Sequence, residues 1–462
     1  MPLIGTGAMS SRLWWPRVRR GTGGRCGTGD RCGTGKLLVS LAALIAALAM
    51  CDVKRASGQY EFEGPPINYR RTAESNSVAR LDRRIREGDV TLVPDATGSI
   101  LKSLLEALDI PLSSQTLVFS KTSLQQGRIN PHAPRSIYFN DDCYVGWVQG
   151  GIIEIAVMDD ELGGVFYTMR DRDAQGEIFR DRGGCLGCHS SGRTQQVPGF
   201  FVRSVPPDED GRPRDIGLVS DHRSPFETRW GGWYVTGTHG TLRHRGNALA
   251  LDPEDGEKID TEPGANWVSL QGKLDTQPYL TPHSDIVALL VMEHQTQVQN
   301  LITAARYETI KAVTLDETMN RELGRPADYQ SESTVRRIAK AGDKLVDYML
   351  LRGEAPFGTK VAGTSGFAEE FAAKGVKDSR GRSLRELDLQ TRLFRYPCSY
   401  MIHSPALAKL PSPMLDYVRD RLKGILRGEI KNGDEAYLSE ADRAAITEIL
   451  TETGPEWLGM KG

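Results

Sequence analysis

The stretch SIYFNDDCYVGWVQGGIIEIAVMDDELGGVFYTMR, residues 136–170, decides the reading of the fold. Within it, Ser136–Asn140, Cys143–Gln149, Ile152–Met158 and Val165–Arg170 are short runs rich in β-branched and aromatic residues, the types that pack well on a pleated surface. Gly150-Gly151 separates two of the runs, and a glycine pair tolerates the positive φ that a two-residue hairpin turn requires. Ile153, Ile155 and Val157 alternate onto one side, so the stretch predicts an antiparallel meander with a single buried face. On its N-terminal side, Ser99–Leu108 carries Ile100, Leu101, Leu104, Leu105 and Leu108 at helical spacing until Pro111 stops the run. On its C-terminal side, Ser190–Arg214 reads as loop because of its prolines and glycines, and Trp230–Gly240 reads as a strand. From Ser284 the pattern turns helical: Ser284 is in a capping position, Asp285 favours a helix start, and Ile286, Leu290, His294, Val298 and Leu301 form one stripe. Leu415–Leu426 and Ser439–Thr451 read as further helices, the second with Glu440 and Asp442 suited to its N-terminal dipole. The predicted class is α+β, a small antiparallel β region with a helical C-terminal half. No segment repeats at a fixed period, which excludes a solenoid or propeller.

Composition bounds what this fold can do. The chain has 462 residues, 39% hydrophobic and 26% charged, with a mean hydropathy of −0.39, which excludes a polytopic membrane protein, collagen or a disulfide miniprotein. The formal net charge of −2 conceals an asymmetry. Residues 1–50 hold seven basic residues and one acidic residue, leaving 51 basic and 59 acidic residues from Cys51 onward, a net charge of −8. An acidic body without a basic stripe argues against nucleic acid as a partner. Between Lys36 and Asp52 lies LLVSLAALIAALAMC, fifteen residues without a charge. As a helix it would reach only about 22 Å, short of a hydrocarbon core of about 30 Å. Basic residues before it and small residues near its end give residues 1–51 the arrangement of a secretory signal peptide, or of a lipoprotein signal with Cys51 as the acylated residue and a membrane anchor. The chain is therefore expected in the periplasm. Residues 52–90 are polar and read as a tether, leaving 91–462 as the body.

Of seven cysteines, Cys143 and Cys398 stand apart, either as a pair or as two buried thiols. Cys185 and Cys188 form the Cys-x-x-Cys-His run Cys185-Leu186-Gly187-Cys188-His189. In c-type haem attachment the two thiols make thioethers to the vinyl groups and the following histidine binds the iron, so the spacing fixes anchoring and proximal ligation together. The rival readings are a thioredoxin-like dithiol, which lacks its expected βαβ setting, and half of a zinc site, which lacks a second ligand pair.

The run resembles the attachment site of c-type cytochromes. Over a longer stretch the chain is similar to exported bacterial cytochrome c domain-containing proteins, a largely uncharacterised group. The likeness is carried by SIYFNDDCYVGWVQGG, CLGCHSSGRTQQVPGFFVRSV, RWGGWYVTGTHG, TPHSDIVALLVMEHQ and PCSYMIHS. With their flanks these blocks cover about Leu117 to Pro455. The resemblance implies one covalent haem c at 185–189 and electron transfer with a periplasmic redox partner protein or a small-molecule donor or acceptor. It implies no substrate.

The group opposite His189 decides between saturated iron, suited to outer-sphere transfer, and an open position that admits a small ligand. Met401, inside PCSYMIHS, leads the distal candidates, with core packing as its bland alternative. His239 and His244 follow. His294, on an apolar stripe, reads more readily as a satisfied core histidine. Phe200 and Phe201 could cover a porphyrin or belong to the core, and Trp230, Trp233 and Tyr234 could line its pocket or pack in the sheet. Three function classes remain: a one-electron carrier, a haem-dependent oxidoreductase of peroxidase-like or dehydrogenase type, and a haem sensor or scaffold. The body is larger than the roughly 100 residues a bare carrier needs, which favours the enzyme, but a di-haem peroxidase would need a second attachment motif.

Overall fold

Strand-forming sequence dominates the first half of the body and helix-forming sequence the second, and the computed structural model follows that division. It describes residues 60–462 apart from 174, 253, 254, 256, 257, 431–437, 461 and 462. The expected signal, Cys51 and residues 52–59 lie outside the described residues. Among the described residues nine strands form: β1 (Thr116–Val118), β2 (Arg135–Phe139), β3 (Cys143–Trp147), β4 (Ile152–Asp159), β5 (Gly163–Arg170), β6 (Ile178–Arg180), β7 (Val202–Ser204), β8 (Leu218–Ser220) and β9 (Trp233–Tyr234). Seven of them make one antiparallel sheet in the order β6-β5-β4-β3-β2-β1-β9, and β7 and β8 pair separately. The meander is its centre. Gly150, at φ 67°, turns the chain between β3 and β4, and β4 and β5 pair from Ile152 opposite Arg170 to Asp159 opposite Gly163.

The expected single buried face is corrected at the centre of the sheet. Strand β3 is buried along its whole length, because both of its sides are covered. On β4, Ile153, Ile155 and Val157 are fully buried as the alternation requires, while Ile152, Glu154 and Ala156 on the other side are only half-buried. The register puts Ile137, Gly146, Glu154 and Thr168 in one cross-strand row and Tyr144, Ala156 and Phe166 in the next. These two rows share a face, and that face builds the candidate site.

Helices α1 (Ser77–Arg86), α2 (Leu101–Ala107) and the short α3 (Leu186–His189) belong to the β-rich half. The second half holds α4 (Ile286–Leu323), α5 (Glu332–Met349), α6 (Phe367–Ala373), α7 (Pro405–Ala408), α8 (Ser412–Leu426) and α9 (Glu440–Thr453). Helix α4 packs along α5, α5 along α8, and α8 meets α9. Its cap is Asp285 rather than Ser284: the carboxylate accepts from Val287 N (2.8 Å) and Ala288 N (3.1 Å). Ser284 instead ties the sheet to the helix start, accepting from Leu117 N at 2.8 Å and donating to Tyr234 O. In α9, Ser439 and Asp442 form a capping box, as two short polar side chains at that spacing can.

Three other expectations change. Residues 60–90 are part of the body rather than a tether: Tyr60–Gly462 is one compact unit, with Phe62, Ile67, Tyr69, Val78 and Leu81 buried. The polar composition hid these anchors because they occur singly or in twos. Arg180 fastens the segment through Tyr69 O, Thr72 O and Glu74. The Ser190–Arg214 loop contains β7 and a 3-10 turn at Gly192–Thr194. In Trp230–Gly240 only Trp233 and Tyr234 join the sheet, at its edge, since Trp230 and Gly232 take positive φ, and Thr236 and Thr238 make isolated bridges to Asp285 and Ala362. Cys143 and Cys398 are buried free thiols. Among the described residues no helix is long and apolar enough to cross a membrane.

Candidate haem-attachment site

The Cys-x-x-Cys-His run is a single helical turn held from both sides. Asp181 accepts from the backbone N–H groups of Gly183 (2.9 Å), Gly184 (3.2 Å) and Cys185 (2.9 Å), which pins the entry to the turn. Leu186 is buried, and its carbonyl accepts from the Tyr60 hydroxyl at 2.9 Å. The turn closes with His189 N on Cys185 O at 3.0 Å. Cys188 is exposed and Cys185 half-buried, and both are free.

His189 is oriented by a reciprocal clamp. Its Nδ1–H donates to Gly199 O at 2.9 Å, and Gly199 N donates back to His189 O at 2.9 Å. A carbonyl can only accept, so the proton sits on Nδ1 and the lone pair on Nε2. Burial holds the imidazole below its ordinary pKa, the neutral form that a metal requires. Phe166 and Phe201 flank the ring at 4.8 and 5.0 Å between centroids. Phe200 is fixed by α4, where Asn300 accepts from Phe200 N (2.8 Å) and donates to Phe200 O (2.7 Å).

Cys185, Cys188 and His189 open on one cavity of about 450 Å³. Its walls are the sheet face already described, the Phe200–Arg203 segment, Trp233, and Met292 and Thr296 from α4. Size and aromatic lining are those of a small-molecule or cofactor pocket. Two cations on the wall have unfinished hydrogen bonding: Arg135, paired with Glu154 at 2.6 Å, and Arg203 each keep a buried Nε without a partner. A cofactor with two thiol-reactive sites, a metal needing one imidazole, and carboxylates to meet the guanidinium groups fits this set of residues. A redox-active dithiol fits it less well. Burial, assisted by Asp181, pushes the Cys185 thiol up to about 12, whereas a nucleophilic thiol is held low. A zinc centre finds no partners either, since among the described residues no three His, Cys, Asp or Glu side chains form a metal-holding group.

The structure does not bring the sequence-derived distal candidates to this cavity. Met401 lies in the 3-10 turn Tyr400–His403 and lines a different cavity of about 500 Å³. His239 uses both ring nitrogens, Nδ1 on Leu242 O and Nε2 accepting from Asn266 N. His294 also uses both, on His222 and on the Ser399 hydroxyl. His244 accepts from Gly246 N through Nδ1 and packs on Trp230 and His239. Trp230 is core, and Trp233 does line the cavity. The residue that sequence reasoning missed is Met292, buried and on the cavity wall. The stripe through Ile286, Leu290 and His294 drew attention to one side of α4, but this part of the helix is buried nearly all round, so its apolar pattern does not single out a face.

Comparison with known protein families, with curated proteins and with solved structures finds no match.

Proposed function

We propose that this chain carries one covalent haem c on Cys185 and Cys188, with His189 as the proximal iron ligand, and that it transfers single electrons outside the cytoplasmic membrane. The observation that carries the reading is the His189–Gly199 clamp, which leaves Nε2 unprotonated on a cavity shared with both thiols. Haem bound there supplies a ferric/ferrous one-electron couple. The chain's own residues do the rest. Phe166 and Phe201 brace the imidazole, Arg135 and Arg203 would hold carboxylates of the group, and Met292 would supply a thioether to its metal. Likeness to exported cytochrome c domain-containing proteins and the uncharged run before Asp52 support a periplasmic setting, with residues 1–51 as a cleaved signal peptide or as a lipoprotein signal that leaves Cys51 acylated. The partner is a periplasmic redox protein or a small-molecule donor or acceptor. The test is intact mass and a pyridine haemochrome assay on protein exported by cells with the haem-ligation machinery. One covalent haem that disappears in C185A/C188A is expected. Haem extractable by acid-acetone, or zinc in its place, would overturn the proposal.

A haem-dependent oxidoreductase is the second reading, favoured by the Arg135–Glu154 pair, which places a cation and a carboxylate on the cavity wall where a small ligand could be polarised. Carbon monoxide separates the two: slow or absent binding to the reduced protein supports the carrier, and rapid binding the enzyme.

A further inference from the structure

A third cavity, a groove of about 630 Å³, runs between the start of the body and the α4–α5 pair. Its floor is apolar and made of small side chains, Ala304, Ala305 and Ala341 beside Leu301. Four cations line it, Lys311, Arg337, Lys340 and Lys344, against two carboxylates. Those carboxylates are already committed: Glu61 pairs with Lys311 at 3.0 Å and Glu308 with Arg337 at 2.6 Å. Arg337, with Lys311 and Lys340 adding to it, holds Glu308 below the usual carboxylate range, so the pairing persists at neutral pH. Lys340 and Lys344 are both exposed, stand one turn apart on α5, and form no ion pair among the described residues. Like charges at that spacing repel, at a cost of a few tenths of a kcal/mol, which opposing carboxylates would reverse.

The groove is joined to the attachment site by the chain itself. Gln195, Gln196 and Val197 form one of its edges. The loop they belong to starts at His189, and Thr194 Oγ1 bridges its two ends, bonding His189 O at 3.3 Å and Val197 O at 2.8 Å. Gln195 and Gln196 both take left-handed backbone, at φ 60° and 62°, a combination that costs non-glycine residues of order 1 kcal/mol or more each. From Cys51 onward the chain carries a net charge of −8, so a cationic groove is a local inversion. An acidic partner would be repelled by most of the surface and drawn to this one place, which sets orientation as well as attraction.

We infer that this groove docks an acidic segment of a partner protein, carboxylates meeting Lys340 and Lys344 and an apolar side chain resting on the alanine floor, and that it orients the redox partner beside the His189 loop. The inference rests on the electron-transfer reading for the partner's identity, and its test is independent of haem. A labelled peptide of repeated Glu-Leu-Glu-Glu is titrated against the full chain by fluorescence anisotropy, and its zero-length carbodiimide cross-links are mapped by mass spectrometry. K340E/K344E should weaken binding by about tenfold or more, as losing two charge-assisted contacts implies. K102E/K360E, the same charge change at two exposed lysines outside the groove, should leave binding within about twofold. Cross-links should fall on Lys340 and Lys344. Equal weakening in both variants would reduce the effect to net charge and overturn the inference, as would cross-links placed elsewhere. Haem content, read separately by pyridine haemochrome, tests the electron-transfer reading without affecting the peptide result.

Discussion

At the scale of single residues, the site depends on Gly199 as much as on the cysteines. A Cβ there would come within 2.1 Å of Asn300 Oδ1 and 3.2 Å of Thr194 Cβ. Asn300 cannot swing away without giving up both bonds to Phe200, so the close approach needs a glycine. G199A is expected to lower stability by about 1–3 kcal/mol, the usual cost of overpacking, and to reduce haem incorporation by loosening the His189 clamp. Urea unfolding and the haemochrome yield of the exported protein check both parts, and a variant as stable and as loaded as the parent would show that the clamp is dispensable. The distal side offers a sharper comparison. M292A should abolish a methionine-to-iron charge-transfer band and M401A should leave it intact, because only Met292 shares the cavity with His189. If M292A keeps the band, another thioether is the ligand.

Among the elements, α4 organises the molecule. Its N-terminus is locked by Asp285, whose carboxylate accepts from Val287 N and Ala288 N within the helix and from Thr364 N (2.7 Å) and Ser365 N (2.9 Å) on a distant loop. Further along, Gln295 and Gln299 grip the Tyr144 hydroxyl at 2.8 and 2.7 Å, Met292 and Thr296 face the cavity, and Asn300 holds Phe200. One helix therefore sets both the sheet side and the loop side of the site. D285A removes the cap and strands two half-buried loop N–H groups, so it should cost about 2–3 kcal/mol, more than the ~1 kcal/mol of an ordinary exposed cap. The denaturation midpoint measures this directly, and a loss under 1 kcal/mol would mean that water replaces the carboxylate.

For the whole molecule, buried titratable groups oppose one another. Burial lowers His244 and His294 to about 3, so they stay neutral in the folded protein. As pH falls below about 6.5 the unfolded chain takes up protons that the folded chain does not, and stability is lost toward acid. Glu293 and Glu354 are raised to about 7, again chiefly by burial. Between pH 4.5 and 7 the unfolded chain releases their protons first, so these two groups remove stability as pH rises. His189, His222 and His239 are lowered by burial as well, so the histidines outweigh the two glutamates and the parent protein loses stability from pH 7 to 5. In E354Q one opposing slope is absent, and the loss on going from pH 7 to 5 should exceed the parent's by about 1–2 kcal/mol. Urea midpoints at the two pH values decide this; an unchanged profile in E354Q would show that Glu354 ionises normally.

Local sequence specifies what neighbouring residues can settle. Alternation in Ile153, Ile155 and Val157, the glycine pair at 150–151, and the apolar spacing after Asp285 specify strands, turn and helix through local geometry, and Cys185 to His189 are legible because their chemistry depends on spacing within one turn. The tertiary structure alone decided what meets across the chain. Met292 and His189 are about a hundred residues apart, and only the crossing of α4 over the sheet puts them on one cavity, while the same packing turns His294 toward Ser399 and leaves Met401 on another. Residues 60–90, the described part of the expected tether at 52–90, read as one because the buried side chains are few and separated, and a polar segment becomes part of a core when other elements supply the apolar surface for Phe62 and Tyr69 and the donors for its carbonyls. Periodicity reports which face of an element is apolar. It does not report which distant element that face will find, since that follows from packing the whole chain at once.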